Sequence, residues 1–364
     1  MKKILILTAG FGEGHNSAAR GIRDGLLQIA SETQVEIRDI FAETLGPLNE
    51  ITRRTYLAAI NRLPDAWASL YSWIDKRQDF RASLRWLFPV RRRLAEIVRR
   101  EQPDIIISVF PAYPHFLDEI FGAVNGSKPE RVVMITDSIT INAIWFRCSA
   151  DYFLVANDQT RDVLGGAGVK HDLLHVLGFP VSPRFADASL RSIRSTDPPW
   201  RILYMVTGGQ TVAPNLARLL AQLPNTELTV TVGHNETLRR VMEEICKASA
   251  QKFEIIGWTT DLPRLLSSHH LLISKAGGAT VQETIAAGCP MIVNQVVPGQ
   301  EEGNARLISE TGAGFVALGV DKVIEAVRAA TAEQGKLLRE WSTNIAKMSR
   351  PSASLDIAKF LLKL

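Results

Sequence analysis

Residues 271–304 read LLISKAGGATVQETIAAGCPMIVNQVVPGQEEGN, and the fold follows from how this stretch alternates. Leu271-Leu272-Ile273 is a short apolar run of the kind that forms a strand buried on both faces of a parallel sheet. The run stops at Ser274-Lys275, and Gly277-Gly278 lets the backbone turn tightly and approach a ligand. Thr280 has the side chain of a helix cap, and Ala279–Ala287 reads as the helix it opens, closed by Gly288 and Pro290. Met291-Ile292-Val293 is a second buried strand, followed by the polar loop Pro298-Gly299-Gln300-Glu301-Glu302-Gly303-Asn304. Two successive strands therefore end in loops rich in glycine and polar groups. In open parallel sheets ligands sit at the carboxyl ends of strands, where helix N-termini offer free N–H groups to phosphate.

Glu283 falls one turn into the expected helix, within reach of the glycine loop. A carboxylate accepts two ribose hydroxyls well and repels a phosphate. Gln300 and Glu301 add an amide and a carboxylate, groups suited to the hydroxyls of a pyranose. A glycine pair alone means no more than a tight strand–helix turn. The three features together within 34 residues point to a nucleotide-sugar site.

A chain of 364 residues exceeds one ordinary core and suits two α/β domains. With 46% hydrophobic and 22% charged residues, the composition is that of a globular protein that stays in water. No apolar run approaches the roughly 18 residues that a membrane-spanning helix needs. Met1-Lys2-Lys3 and the few apolar residues after it read as a first strand, too short for a signal-peptide core. Cys148, Cys246 and Cys289 show no paired spacing, which fits packing residues in a reducing cytoplasm. There is no Asp-x-Asp pair and no His/Cys cluster at metal spacing, so neither metal nor other cofactor is expected. A departing diphosphate would then rely on helix N-termini and backbone donors.

Near the start, Ile4–Leu7 is a buried strand and Thr8–His15 its glycine loop, with Asn16 or Ser17 as the cap of the next helix. Dinucleotide-type GxGxxG spacing counted from Gly10 reaches Gly12 but meets His15 where the third glycine belongs. Asp39, after the strand Val35–Arg38, keeps a ribose contact open, so dinucleotide binding remains the second reading. Gly14-His15 at a helix mouth is either a proton acceptor for a hydroxyl near neutral pH or a cap and packing residue. Further on, a strand over Arg131–Ile135 ends in Thr136-Asp137-Ser138, where Asp137 is either a catalytic carboxylate or a loop cap.

Residues 51–100 hold 12 of the Lys and Arg residues against 4 Asp and Glu, so this segment is +8 in a chain of +4. Three of the seven tryptophans fall here. Trp67, Trp73 and Trp86 interleaved with Arg77, Arg81 and Arg85 fit attachment to an anionic membrane surface. Nucleic acid is the rival partner, but no nucleic-acid motif accompanies the patch, and none is expected to bind. Ordinary solvated helices with one core face are the third possibility.

In the C-terminal half, Arg201–Val206 is a strand followed by Thr207-Gly208-Gly209-Gln210, a loop that mirrors the first one and can face a diphosphate. Glu254–Gly257 reads as a strand that leads into Trp258, a residue that packing alone could explain. Ala186–Trp200 is polar and carries Pro198-Pro199, which marks a linker. The domains are therefore 1–185, a hinge at 186–200, 201–350, and a terminal helix at 351–364.

The pattern KAGGATVQE…PGQEEGN resembles the donor-binding half of glycosyltransferase family 28. It is most similar to the branch that includes monogalactosyldiacylglycerol synthase and the processive diacylglycerol glucosyltransferases. The resemblance implies an α/β GT-B fold, two Rossmann-like doubly wound domains facing across a cleft, with the terminal helix packing back on the first. A strand ending in Thr136-Asp137, followed by a loop and Trp145, is also similar to the diacylglycerol branch. It implies a UDP-sugar donor held by Gly208, Gly209, Gln210, Gly257, Trp258, Ser274, Lys275, Gly277, Gly278, Ala279, Thr280, Glu283, Gly299, Gln300, Glu301 and Asn304. Gly12 and Gly14 would line the acceptor and diphosphate loop. His15, helped by Asp137, would take the proton of a lipid acceptor, most simply 1,2-diacylglycerol. The protein would then be cytoplasmic and peripheral on the inner face of the cell membrane. Ser138-Ile139-Thr140-Ile141-Asn142 lacks the histidine that often follows Thr-Asp in relatives, a departure that bears on the acceptor. Alternatives are another lipid or hydrophobic acceptor, a non-catalytic nucleotide-sugar-binding protein, and a UDP-sugar epimerase of the same shape.

Overall fold

In a computed structural model the chain is described at residues 1–10, 13–46, 85–122, 128–192, 194–207, 211–298 and 301–364. Among these residues there are two six-stranded sheets in which every pairing is parallel. The first contains β1 (Lys3–Leu7), β2 (Gln34–Arg38), β3 (Ile105–Ser108), β4 (Glu130–Met134), β5 (Tyr152–Val155) and β6 (Leu174–Val176), in the order β2-β1-β3-β4-β5-β6. The second contains β7 (Trp200–Met205), β8 (Thr226–Gly233), β9 (Glu254–Gly257), β10 (Leu271–Lys275), β11 (Met291–Gln295) and β12 (Gly314–Val316), in the order β12-β11-β10-β7-β8-β9. Helices cover both faces of a parallel sheet, so its central strands are apolar throughout rather than alternating. Ile4 to Leu7 and Ile105 to Ile107 accordingly expose no more than 2% of their surface.

Each sheet reverses its direction of growth once. The chain adds β2 on one side of β1 and then β3 on the other, and likewise adds β8 and β9 beside β7 before crossing to β10. The loops after β1 and β3, and after β7 and β10, diverge at these reversals and leave the crevices in which open α/β sheets bind ligands.

The chain divides into two compact units. One comprises Met1–Pro183, Val297–Gly303 and Ser352–Leu364; the other comprises Arg184–Val296 and Asn304–Pro351. The stretch read as a hinge, 186–200, groups with the second unit, and Arg184 just before it and Arg194 within it give the reason. Arg184 pairs with Asp261 at 2.6 Å, and Arg194 donates to the carbonyls of Gly288 (2.5 Å), Leu266 (2.8 Å) and Ala287 (3.2 Å). Trp200 is already the first residue of β7.

In the first unit the terminal helix Ala353–Lys363 lies against the helix Glu13–Ile29. Their contact depends on Gly25, where a Cβ would stand 2.4 Å from the carbonyl oxygen of Ser354. Phe360 sits edge-on to Tyr152 at 5.3 Å, and Lys2 Nζ donates to the Leu362 carbonyl at 2.7 Å. In the second unit the helix Val320–Met348 is interrupted at Ala332–Gly335, and Gly335 lets the break close onto the Trp200 ring. Among the described residues no helix is long and apolar enough to cross a membrane.

Candidate active site

The helix after β1 begins at Glu13, so Gly14, His15 and Asn16 lie in its first turn rather than in a loop before it. The expected capping role of Asn16 or Ser17 is thereby corrected: both are inside the helix, and Asn16 Oδ1 instead accepts the Thr8 hydroxyl proton at 2.9 Å. His15 is also neither loose nor fully exposed. Its Nδ1 lies 3.1 Å from the Thr136 hydroxyl, and its ring meets Phe110 edge-on at 5.2 Å and Trp145 at 6.0 Å. Burial pushes the imidazole down to about 4, while a hydrogen bond to the Val109 backbone pulls the other way. Val109 and Phe110 follow β3, so His15 stands at the reversal between β1 and β3.

Asp137 follows Thr136 at the end of β4, half-buried. Its Oδ2 accepts the indole N–H of Trp145 at 2.7 Å. Burial pushes the carboxyl up to about 6, against the pull of that indole. His15 and Asp137 therefore flank one tryptophan, and at pH 7 one is a neutral imidazole and the other chiefly a carboxylate. A neutral imidazole can accept a proton, and a carboxylate can offset the positive charge that results.

Asp39 does not stand ready for a ribose. Its Oδ2 accepts the Gly10 N–H at 2.8 Å and its Oδ1 accepts the Ala42 N–H at 2.9 Å, so it caps the helix Ile40–Leu45 and pins the loop after β1. Tyr113 locks the same corner, donating to the Thr8 carbonyl at 2.7 Å and accepting the Ile40 N–H at 3.0 Å. These bonds account for the dinucleotide-like spacing without a dinucleotide.

In the second unit the helix after β10 runs Gly278–Ala286, one residue earlier than expected, with Gly277 in the cap position and no side-chain capping bond. Thr280 is not the cap: it lies inside the first turn, where its carbonyl accepts from the Thr284 hydroxyl at 2.6 Å. The first N–H groups, around Gly277, Gly278, Ala279 and Thr280, are thus the open positive end of a helix dipole. Glu283 is half-buried on the next turn. Ser274 is fully buried and donates to the Met205 carbonyl at 3.2 Å, so its hydroxyl holds β10 to β7 at the second reversal. Lys275 is half-buried at the strand end. Asn304 is 5% exposed; its Nδ2 donates to the Ala276 carbonyl at 3.1 Å, and its buried Oδ1 has no hydrogen-bond partner among the described residues.

At the ends of β8 and β9, Trp258 is 62% exposed and stacks on His234 with centroids 5.3 Å apart and planes 14° off parallel. It does not pack into the core, and the flat exposed pair adjoins Gly257. Glu301, in the polar loop grouped with the first unit, is 7% exposed and accepts the Val297 N–H at 3.0 Å.

Gly12, Trp67, Trp73, Arg77, Arg81, Gly208, Gly209, Gln210, Gly299 and Gln300 lie outside the described residues, and at Arg85 only the backbone is described. Of the aromatic–basic segment, Trp86 (88% exposed) and Phe88 (59% exposed) project from the start of the helix Phe88–Glu101. Several arginines on that helix are paired: Arg91 with Glu119, Arg92 with Glu96 at 3.2 Å, and Arg100 with Glu101 at 2.7 Å.

Thr136, Trp145 and Phe110 surround His15 and Asp137. In the sequence Thr136 and Trp145 stand only as parts of a family-like pattern, without a role of their own; Phe110 carries none, and its one signal is its position just past a buried strand.

The architecture is shared with solved structures. The chain matches Acinetobacter baumannii MurG with a TM-score of 0.65 at 14% identity, covering 100% of both chains. It matches Anabaena Alr3699/HepE, solved in complex with UDP and glucose, with a TM-score of 0.55 at 13% identity, again over 100% of both. The fold is GT-B, that of nucleotide-sugar glycosyltransferases. Residues 15–181 match the family model for monogalactosyldiacylglycerol (MGDG) synthase, and residues 204–357 match the C-terminal domain of glycosyltransferase family 28. The chain belongs to glycosyltransferase family 28. It is 25% identical to the processive diacylglycerol beta-glucosyltransferase of Bacillus subtilis across 100% of this chain and 95% of that protein. To the enzyme of the same description from Bacillus licheniformis it is 26% identical across 97% and 92%.

Proposed function

We propose that this glycosyltransferase is an inverting hexosyltransferase that carries a hexose from UDP-glucose or UDP-galactose to the hydroxyl of a membrane lipid, 1,2-diacylglycerol. The observation that carries the reading is His15, neutral at pH 7 and seated at the sheet reversal against Thr136. The acceptor oxygen attacks the anomeric carbon on the face opposite UDP, and the C–O bond to the diphosphate breaks. His15 takes the hydroxyl proton, and the Asp137 carboxylate offsets the imidazolium charge as it forms. The departing UDP carries the bonding pair onto its diphosphate. The open N-terminus of Gly278–Ala286 supports that charge, with Gly208 and Gly209 adding backbone donors. No metal enters this scheme.

On the donor side Glu283 takes the ribose hydroxyls, Gly257 and Trp258 border the uracil, and Gln300, Glu301 and Asn304 hold the sugar. The buried Asn304 Oδ1 supports this, because a sugar hydroxyl would supply the hydrogen bond that no described residue gives it. The names of the Bacillus relatives favour glucose and diacylglycerol. Trp67, Trp73, Trp86, Arg77, Arg81 and Arg85 attach the protein peripherally to the anionic inner face of the cell membrane, where its acceptor resides.

The test is product analysis with radiolabelled UDP-glucose and UDP-galactose on vesicles containing diacylglycerol. A β-linked glycosyl-diacylglycerol supports the reading; an α-linked product, or free sugar alone, contradicts it. The missing histidine in Ser138–Asn142 gives one rival substance, a different lipid or hydrophobic acceptor, and that rival predicts transfer only when diacylglycerol is replaced.

A further inference from the structure

We infer that Trp145 is a positioning residue for this reaction, fixing the Asp137 carboxylate through its indole N–H while its ring seats His15. The inference rests on the roles proposed for those two groups. Trp145 is 1% exposed and closes a short helical turn, Ala143–Trp145, that Asn142 caps by accepting the Ile144 N–H at 3.0 Å. Its ring belongs to a core cluster with Val133, Ile135, Phe153, Val155 and Leu164. A tryptophan buried so deeply must find an acceptor for its N–H, and here the acceptor is Asp137 Oδ2 at 2.7 Å. The short distance suits a donor to a carboxylate.

Rigidity is what makes this arrangement useful. The indole is anchored by packing behind β4 and β5, so its N–H has one direction and needs no reorganisation when charge develops. The same ring lies 6.0 Å from the His15 ring, tilted by 44°. Phe110 bounds the imidazole edge-on from another side, and the Thr136 hydroxyl holds its Nδ1. One side chain thus touches both proposed groups, and its loss acts on them together. The donor also favours the ionised carboxylate, opposing the effect of burial.

The experiment compares wild type, Trp145→Phe and Asp137→Asn in UDP release across pH 5 to 9, with UDP-hexose and diacylglycerol vesicles. Phenylalanine keeps most of the packing and removes the N–H. The acid limb of kcat/KM should move up by roughly one pH unit, which is about a fivefold loss at pH 6 and close to tenfold well below it, with most activity regained above pH 8. KM for the UDP-hexose should stay near the wild-type value. An unshifted limb, or a loss equal at every pH, overturns the positioning role. If Asp137→Asn retains wild-type activity, the role of Asp137 itself has failed, an outcome distinct from failure at Trp145 alone. Should Trp145→Phe not fold, the wild-type chain labelled with 5-fluorotryptophan gives the answer by fluorine NMR. One indole resonance should titrate with Asp137, near pH 6, and stop titrating in Asp137→Asn. The absence of any such resonance overturns the inference.

Discussion

His15 and Asp137 are shifted in opposite senses by the same cause, removal from water, and in the proposed reaction this pair of shifts predicts the pH window. His15, down near 4, stays neutral throughout the physiological range, whereas Asp137, up near 6, loses its charge first as the medium is acidified. The acid limb of the rate profile should therefore fall near pH 6 in wild type and disappear in Asp137→Asn. His15→Ala should lower kcat by roughly 10²- to 10⁴-fold, the usual worth of a positioned general base, with donor binding kept. Glu283→Gln should do the reverse, raising KM for the UDP-sugar with kcat little changed; titration calorimetry with UDP checks it. The two proposed groups were legible in the sequence because each follows a buried strand, where residues face a crevice. Thr136 and Trp145 were legible only as parts of a family-like pattern, because a hydroxyl and an indole have many structural uses and only the three-dimensional packing shows what they touch. Asp39 shows the converse: its position suited a ribose, yet backbone N–H groups already occupy both oxygens.

The beginnings of the helices Glu13–Ile29 and Gly278–Ala286 were read late. The reading looked for a side-chain cap, and at Gly278–Ala286 the cap position belongs to Gly277, whose extended backbone starts the helix with no side chain at all. At Glu13–Ile29 the helix begins before the polar residues taken as caps, which puts His15 on a rigid turn instead of a mobile loop. That helix is held from behind by the terminal helix Ala353–Lys363 through Gly25. A Cβ there would meet backbone, which no rotamer change relieves, so Gly25→Ala should destabilise the first unit by about 1–3 kcal/mol. Calorimetry should show a lowered melting temperature, and an unchanged one would mean that the contact is looser than it looks.

Both sheets were legible because central strands such as β1, β3 and β10 are continuous apolar runs, the mark of burial on two faces, and the strand order has the chain crossing over once in each sheet. The grouping of the linker with the second unit was not legible, since it depends on where Arg184 and Arg194 find oxygens far along the chain. Three histidines, His15, His269 and His270, are held near 4 chiefly by burial. The unfolded chain takes up their protons first, so the stability they contribute above pH 6.5 is lost as the pH falls toward 4, and the melting temperature should drop through that window. The proposed attachment to anionic lipid predicts co-sedimentation with vesicles containing phosphatidylglycerol that weakens as salt is raised. UDP release should persist in excess EDTA, because backbone donors and a helix end carry the leaving charge in the proposed scheme. The decisive assay is UDP release from UDP-glucose and UDP-galactose, with and without diacylglycerol in anionic vesicles, for wild type and His15→Ala. Release that requires diacylglycerol and vanishes in the variant is the expected result; donor binding with no turnover on diacylglycerol, or full turnover by His15→Ala, contradicts it.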